Sequence, residues 1–297
     1  MPKEEFKSGF VAIIGKPNVG KSTILNFLLK EKIAIVSPKP ETTRDNVQGI
    51  ITTEKFQIVF VDTPGIHQPH LPLGKQIVKK ARSSLSGADL LLVVMEATSG
   101  ICEEDKRLLD LVRNTEIKSI LLINKVDAVK KSRLLPIIED LSVNYTFLDI
   151  IPISALSGDN MDIVKDKVLE NLSAGEKYYP DGQVTDKDIK FRISETIREK
   201  VLFLTRQEVP HSIAVLIEEM AQRQDKDIMN IRACIYVERD SQKAIIIGKK
   251  GSMIKEIGST ARPEIEALVG KKVFLALWVK VLKNWRKDPR ALDMLGF

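Results

Sequence analysis

The chain has 297 residues, with 46 Lys and Arg against 40 Asp and Glu, a formal net charge of +6. That length suggests two domains, and no apolar run is long enough to span a bilayer. Cys102 and Cys234 are the only cysteines, which excludes a disulfide framework and reads as two reduced thiols in a cytosolic protein.

The first apolar run, Phe10–Ile14, is too short for a signal-peptide core and reads as a strand. It leads into Gly15, Lys16, Pro17, Asn18, Val19, Gly20, Lys21, Ser22 and Thr23, which fit G-x-x-x-x-G-K-[ST] and open a helical pattern. Glycines there let backbone N–H groups curl around phosphate oxygens, and the helix N-terminus adds a favourable dipole. Lys21 is expected to reach the β- and γ-phosphates, and the Ser22 hydroxyl to hold Mg²⁺. The polar stretch Ser37–Asn46 follows, placed for a loop that senses the γ-phosphate. Thr42 or Thr43 would complete the Mg²⁺ shell, with Thr43 favoured.

The next strand, "FQIVFVD", ends at Asp62 and continues through Thr63, Pro64, Gly65 and Ile66. Asp62 can support the Mg²⁺ shell, and the Gly65 N–H can meet the γ-phosphate. Ile66 stands where a glutamine could orient the attacking water, so slow intrinsic hydrolysis is expected. His67 is a candidate helper, although a loop histidine is more often structural. The runs "DLLLVVMEA", "SILLINKVD" and "LDIIPISAL" follow, separated by helical patterns at Glu103–Arg113 and Met161–Asn171. Strands apolar on both faces with helical crossovers imply a mostly parallel α/β sheet. Ligands bind such sheets at the carboxyl ends of the strands, where each of these polar motifs falls. Asp127 can accept two hydrogen bonds from guanine, whereas adenine would leave the carboxylate unpaired. Asn124 is expected to brace the loop and Lys125 to lie along the base. Ser154, Ala155 and Leu156 can offer a backbone N–H to guanine O6.

A Gly-, Pro- and acid-bearing stretch, 173–186, breaks the pattern. The expected domains are an α/β P-loop GTPase domain at 1–175, a linker at 176–187 and an α+β domain at 188–297. Residues 1–184 carry 24 basic and 24 acidic side chains, so the whole excess lies in residues 185–297, with 22 against 16. Basic charge concentrated in one domain is the footprint of a polyanion binder. The order there reads helix 189–203, two strands in "HSIAVLIEEM" and "IRACIYVER", a short strand "AIIIG", helix 253–268 and strand "KVFLALWVKV". Ile247, Gly248, Lys249, Lys250, Gly251 and Ser252 form a G-x-x-G loop with basic middle residues. Its glycine spacing excludes a second nucleotide loop and suits the KH module, which clamps single-stranded nucleotides. Lys255, Lys283 and Arg286 extend the basic surface. Trp278 and Trp285 are candidates for stacking on bases, with packing the favoured role for Trp278.

The motifs "GKPNVGKS", "TTR", "DTPGIH", "NKVD" and "SAL", followed by "YYP", "IYVERDSQKAIIIGKKG" and "KKVFLALWVKVLKNWR", resemble the Era family of bacterial GTPases over nearly the whole chain. The resemblance implies a GTPase domain followed by a type II KH domain. It implies GTP hydrolysis coupled to binding of small-subunit (16S) ribosomal RNA near its 3′ end, in maturation of the 30S subunit. It further implies a cytoplasmic protein with some peripheral association with the inner face of the membrane; a monomer is expected. Two other readings remain open at this point: a GTPase whose KH-like domain docks a protein, and an ATP-driven RNA remodeller, which "NKVD" opposes.

Asn18 carries a side-chain oxygen suited to a monovalent cation beside the phosphates. K⁺ there would supply the charge that an arginine finger gives elsewhere. GTP hydrolysis is accordingly expected to run faster in K⁺ than in Na⁺ buffer, and equal steady-state rates would remove the role.

Overall fold

Valine-, isoleucine- and leucine-rich runs with both faces covered build the first sheet. In the computed structural model the described residues are 5–39, 42–65, 73–74, 77, 87–205, 209–222 and 227–297. They form two compact units, the first carrying the sheet and most of residues 5–186, the second residues 187–297 with the segment Ile35–Lys39.

In the first unit the strands are β1 (Lys7–Gly15), β2 (Val47–Thr52), β3 (Phe56–Asp62), β4 (Leu90–Glu96), β5 (Ser119–Asn124) and β6 (Asp149–Pro152). Their order is β2-β3-β1-β4-β5-β6; β2 runs antiparallel to β3, and the other pairs are parallel. Every residue of β5 and the first six of β4 are buried, as a sheet covered on both sides requires. Helices among the described residues include α1 (Lys21–Leu29), α2 (Glu103–Arg113), α3 (Leu134–Asn144) and α4 (Met161–Asn171). Three acids, Glu103, Glu104 and Asp105, fill the first turn of α2, where the helix dipole favours negative charge. Its Leu108, Leu109 and Val112 bury against Ala12, Leu91 and Leu121 in one cluster.

Residues 173–186 are held along this sheet. The Ser8 N–H donates to Ser173 O (3.2 Å), and Ile50 N–H to Val184 O (2.9 Å). Gln57 is fully buried, and its amide is answered from this stretch. Its Oε1 accepts from the Tyr178 and Tyr179 N–H groups (2.7 and 2.9 Å), and its Nε2 donates to Tyr179 O (2.8 Å).

The second unit follows the order α5 (Ile189–Leu204), β7 (Ala214–Gln222), β8 (Ile228–Val237), α6 (Asp240–Ile247), α7 (Ser252–Val269), β9 (Lys272–Val281) and α8 (Pro289–Met294). Asp188 caps α5 by accepting from Phe191 N (2.7 Å). The three-stranded sheet, β7-β8-β9, pairs β7 antiparallel and β9 parallel to β8. Ile193, Ile197 and Val201 of α5 meet Ile257, Ala261 and Ile265 of α7 and Ile231, Ala233 and Ile235 of β8 in one core, which also takes in Ile35. Beside Ile35, Val36 N–H donates to the buried Glu199 carboxylate (3.0 Å).

Two sequence expectations change. Residues 244–248, expected as a short strand, are the last turn of α6 and its C-cap. Gln242 Oε1 accepts from the Glu238 and Arg239 N–H groups (3.0 Å each) and closes the start of that helix. Of its isoleucines only Ile246 is buried, while Ile245 is 46% exposed, the one-sided burial of a short surface helix. The packed tryptophan is Trp285, not Trp278. Trp285 is fully buried, donates Nε1–H to Ser212 O (3.1 Å) and stacks on Phe297. Trp278 lies on the exposed face of β9, with the Arg232 guanidinium 5.2 Å from the centre of its ring.

Trp285→Ala is expected to lower stability by about 3–5 kcal/mol through the cavity it leaves. Trp278→Ala should cost less than about 1 kcal/mol, as an exposed ring with one cation contact. Urea unfolding followed by circular dichroism measures both.

Candidate nucleotide and RNA sites

The carboxyl ends of β1, β3, β4 and β5 deliver Gly15, Asp62, Glu96 and Asn124 to one rim. The phosphate loop leaves β1 there and winds into α1. Gly20 stands at its end with φ 102°, and a Cβ would lie 2.3 Å from Asn124 Nδ2. Only glycine fits both the backbone and the space. Lys21 is buried and donates to Gly15 O (3.1 Å) and Lys16 O (3.0 Å), which draws the loop closed around its ammonium. Burial pushes the Lys21 pKa down from 10.5 to about 8, against the attraction of Asp62.

Ser22, Thr43 and Asp62 converge. Ser22 Oγ donates to Asp62 Oδ2 (2.7 Å) and lies 3.0 Å from Thr43 Oγ1, which itself donates to Asp62 Oδ2 (3.3 Å). Asp62 is fully buried, and its other oxygen, Oδ1, has no hydrogen-bond partner among the described residues. Burial raises its pKa, only partly opposed by Lys21, Ser22 and Thr43. Two hydroxyls and one under-satisfied carboxylate fit a hard cation that keeps water and phosphate oxygens in its shell, as Mg²⁺ does. Among the described residues no group of three or more His, Cys, Asp or Glu side chains forms an all-protein metal site. Thr42 is buried, and it is the Thr43 hydroxyl that reaches the cluster.

Asn124 braces two loops. Its Nδ2 donates to Val19 O (2.8 Å), and its Oδ1 accepts from Ala155 N–H (3.0 Å). Asp127 is exposed in the turn after β5, free to meet a base from solvent, and Leu156 is exposed at 83%. Ser154 is buried, and its Oγ accepts from Ser157 N–H (3.2 Å), closing the turn that presents Ala155. Thr63 fixes the start of the loop after β3 by donating to Ile13 O (2.8 Å). Pro64 and Gly65 continue that loop; Ile66 and His67 lie outside the described residues.

Sequence reasoning missed a charged cluster beside the phosphate loop, made by Lys16, Glu96, Ser99, Cys102, Asp105 and Lys125. Lys16 Nζ donates to Asp105 Oδ2 (3.1 Å) and Ser99 Oγ (3.0 Å). Glu96 accepts from Lys125 Nζ and lies 3.8 Å from Lys16 Nζ. Burial works against the Glu96 charge, yet Lys125 and Lys16 outweigh it and hold the carboxyl below its ordinary range. The available signal was position: Glu96 closes an otherwise apolar strand at the ligand-bearing rim.

In the second unit, α6 stops at Gly248 (φ 71°), where a Cβ would lie 2.7 Å from Met253 Cβ. Lys249 and Lys250 are exposed in the turn between α6 and α7. Gly251 precedes Ser252 and the N-terminus of α7, whose N–H groups favour an anion. Ile247 is half-buried on the supporting side, and Lys255 and Lys283 are exposed. Arg286 is committed to Glu238, which accepts from its Nε (3.0 Å) and Nη2.

Residues 10–125 match the family described as 50S ribosome-binding GTPase, and residues 208–286 match the KH domain family. Two solved structures align over 98% of this chain and 99% of theirs at 41% identity. One is Era in complex with MgGDPNP and nucleotides 1506–1542 of 16S ribosomal RNA (TM-score 0.95). The other is a tyrosine-to-alanine variant of Aquifex aeolicus Era bound to GDP·AlF4⁻ (TM-score 0.94). This chain belongs to the Era family.

An Era-family phosphate loop that buries its lysine this deeply couples nucleotide binding to protonation. Below about pH 8 Lys21 is charged with or without nucleotide; above it, binding must take up a proton. GDP affinity is therefore expected to be flat below about pH 7, to begin falling as the pH approaches about 8 and to fall more steeply towards pH 9, by at most about tenfold per unit. Isothermal titration in buffers of different ionisation heat reads the proton uptake, and Lys21→Met should remove the slope.

Proposed function

We propose that this chain is a GTP-hydrolysing switch that binds small-subunit ribosomal RNA near its 3′ end and acts in maturation of the 30S subunit. The observation that carries this reading is the pairing of two phosphate-binding loops of opposite character. One, with Lys21 and Asp62, is buried; the other, with Lys249 and Lys250, is exposed. The full-length similarity to Era bound to MgGDPNP and a 16S RNA fragment supports the same assignment.

Lys21 holds the β- and γ-phosphates, and Ser22, Thr43 and Asp62 hold Mg²⁺. When bound, Mg²⁺ neutralises charge developing on the phosphoryl oxygens. Gly65 N–H meets the γ-phosphate, so Thr43 and Gly65 sense its presence from two loops. Asp127 takes the guanine N1–H and amine, with Lys125 along the base and Asn124 fixing the loop. Asn18 would hold K⁺ beside the phosphates through its side-chain oxygen, where the ion would supply positive charge. Intrinsic hydrolysis is slow, since no glutamine follows Gly65 to orient water.

The G-x-x-G turn clamps the RNA backbone, with Lys249, Lys250 and Lys255 against phosphates and the α7 N-terminus behind them. The protein works as a cytoplasmic monomer with peripheral contact to the inner face of the membrane, which the basic excess of residues 185–297 favours. No described helix is long and apolar enough to cross a bilayer.

Binding of single-stranded RNA matching the 3′ end of 16S ribosomal RNA is expected to weaken steeply with salt. The paired change of Lys249 and Lys250 to Ala should flatten the log–log slope by about 1.4, roughly 0.7 per lost phosphate contact. A salt-independent affinity, unchanged in that double variant, would refute RNA binding at this loop.

A further inference from the structure

The phosphate loop contains two lysines, and the structure gives them different work. Lys21 Nζ closes the loop through the carbonyls of Gly15 and Lys16. The ammonium of Lys16 is taken up by protein groups: Asp105 Oδ2 at 3.1 Å, Ser99 Oγ at 3.0 Å, Cys102 Sγ at 3.5 Å and Glu96 Oε1 at 3.8 Å. Lys16 is 9% exposed, and Asp105 is fully buried. Asp105 is itself fixed, since its Oδ2 also accepts from the Cys102 N–H (3.1 Å) and thiol (3.0 Å) at the start of α2.

Glu96 joins this group to the base-reading loop. Its Oε1 faces Lys16, while its Oε2 accepts from Lys125 Nζ. Lys125 holds a left-handed backbone conformation at φ 65°, directly after Asn124. The charges alternate along a chain, Lys125–Glu96–Lys16–Asp105, and sum to zero. Removing one member leaves a neighbouring charge uncompensated in a partly desolvated place, which is costly.

We infer that Lys16 and Glu96 are positioning residues, Lys16 bracing the phosphate loop from behind instead of binding phosphate, and Glu96 tying that loop to the guanine loop through Lys125. The two loops are separated by over a hundred residues in sequence and recognise opposite ends of one nucleotide. A shared carboxylate makes the placement of each depend on the other, so the base and the phosphates are bound as one unit. This inference rests on the guanine-nucleotide reading above, which GDP binding by the unaltered chain tests separately.

The experiment is a double-mutant cycle on GDP release, read with a fluorescent GDP and the full chain. Lys16→Met and Glu96→Gln are each expected to speed release by about tenfold or more, as for loss of a charged hydrogen bond. Together they should speed it by clearly less than the product of the two, because either change already removes the Lys16–Glu96 pairing and breaks the same charge chain. Lys16→Arg should restore release to within about threefold, since a guanidinium can still meet Asp105 and Ser99. In GTP hydrolysis Lys16→Met should raise KM far more than it lowers kcat. Ser99→Ala, a mild exposed change that removes one acceptor of Lys16, should speed release by about threefold and carries the test if a charge variant fails to fold. Multiplicative effects would overturn the coupling. Loss of pyrophosphate binding in Lys16→Met as severe as in Lys21→Met would make Lys16 a phosphate ligand and overturn its bracing role.

Discussion

A small polyphosphate in water is already well solvated, so a protein that grips one molecule tightly needs charge that water does not screen. The first unit meets this constraint by burying Lys21 and Asp62 at the carboxyl rim of a sheet covered on both sides. Burial makes their interactions strong and their ionisation expensive, which is why the Lys21 pKa falls while that of Asp62 rises. The strands fix where the two groups sit. Gly20, Asn124 and the carbonyls of Gly15 and Lys16 then complete a cradle whose parts come from distant places in the chain.

The second unit solves a different problem. A long RNA backbone cannot enter a cavity, so its phosphates must be met at the surface, where each contact is weak and salt-sensitive. On the proposed reading Lys249 and Lys250 suit that task, exposed on a tight turn between two helices. The contrast between one buried lysine and several exposed ones is the one expected between a site for a single small phosphate ligand and a surface for a polymer.

Much of this was legible along the chain. Walker-type spacing, Asp62 at a strand end, "NKVD" and the G-x-x-G loop are local patterns, and the strands that carry the first three lie where the hydrophobic periodicity placed them. The failures share a cause. "AIIIG" has the composition of a strand, but the amide oxygen of Gln242 caps the start of a helix there and only one isoleucine face finds the core. Trp278 sits in an apolar strand and looked like the packed ring. Strand alternation turns it outward, and the tail instead brings Trp285 under Ser212.

The sequence by itself determined the parallel α/β sheet of the first unit, the two glycine loops and their different spacing and charge, because glycine spacing, periodicity and charge partition are properties of neighbouring residues. It could not show that Thr43 rather than Thr42 reaches Ser22 and Asp62, that Arg286 is spent on Glu238, or that Lys16 belongs with Glu96, Asp105 and Lys125. Those pairings join residues that only the folded sheet brings together. A side chain's partner, unlike its type, is decided by which strand ends share a rim.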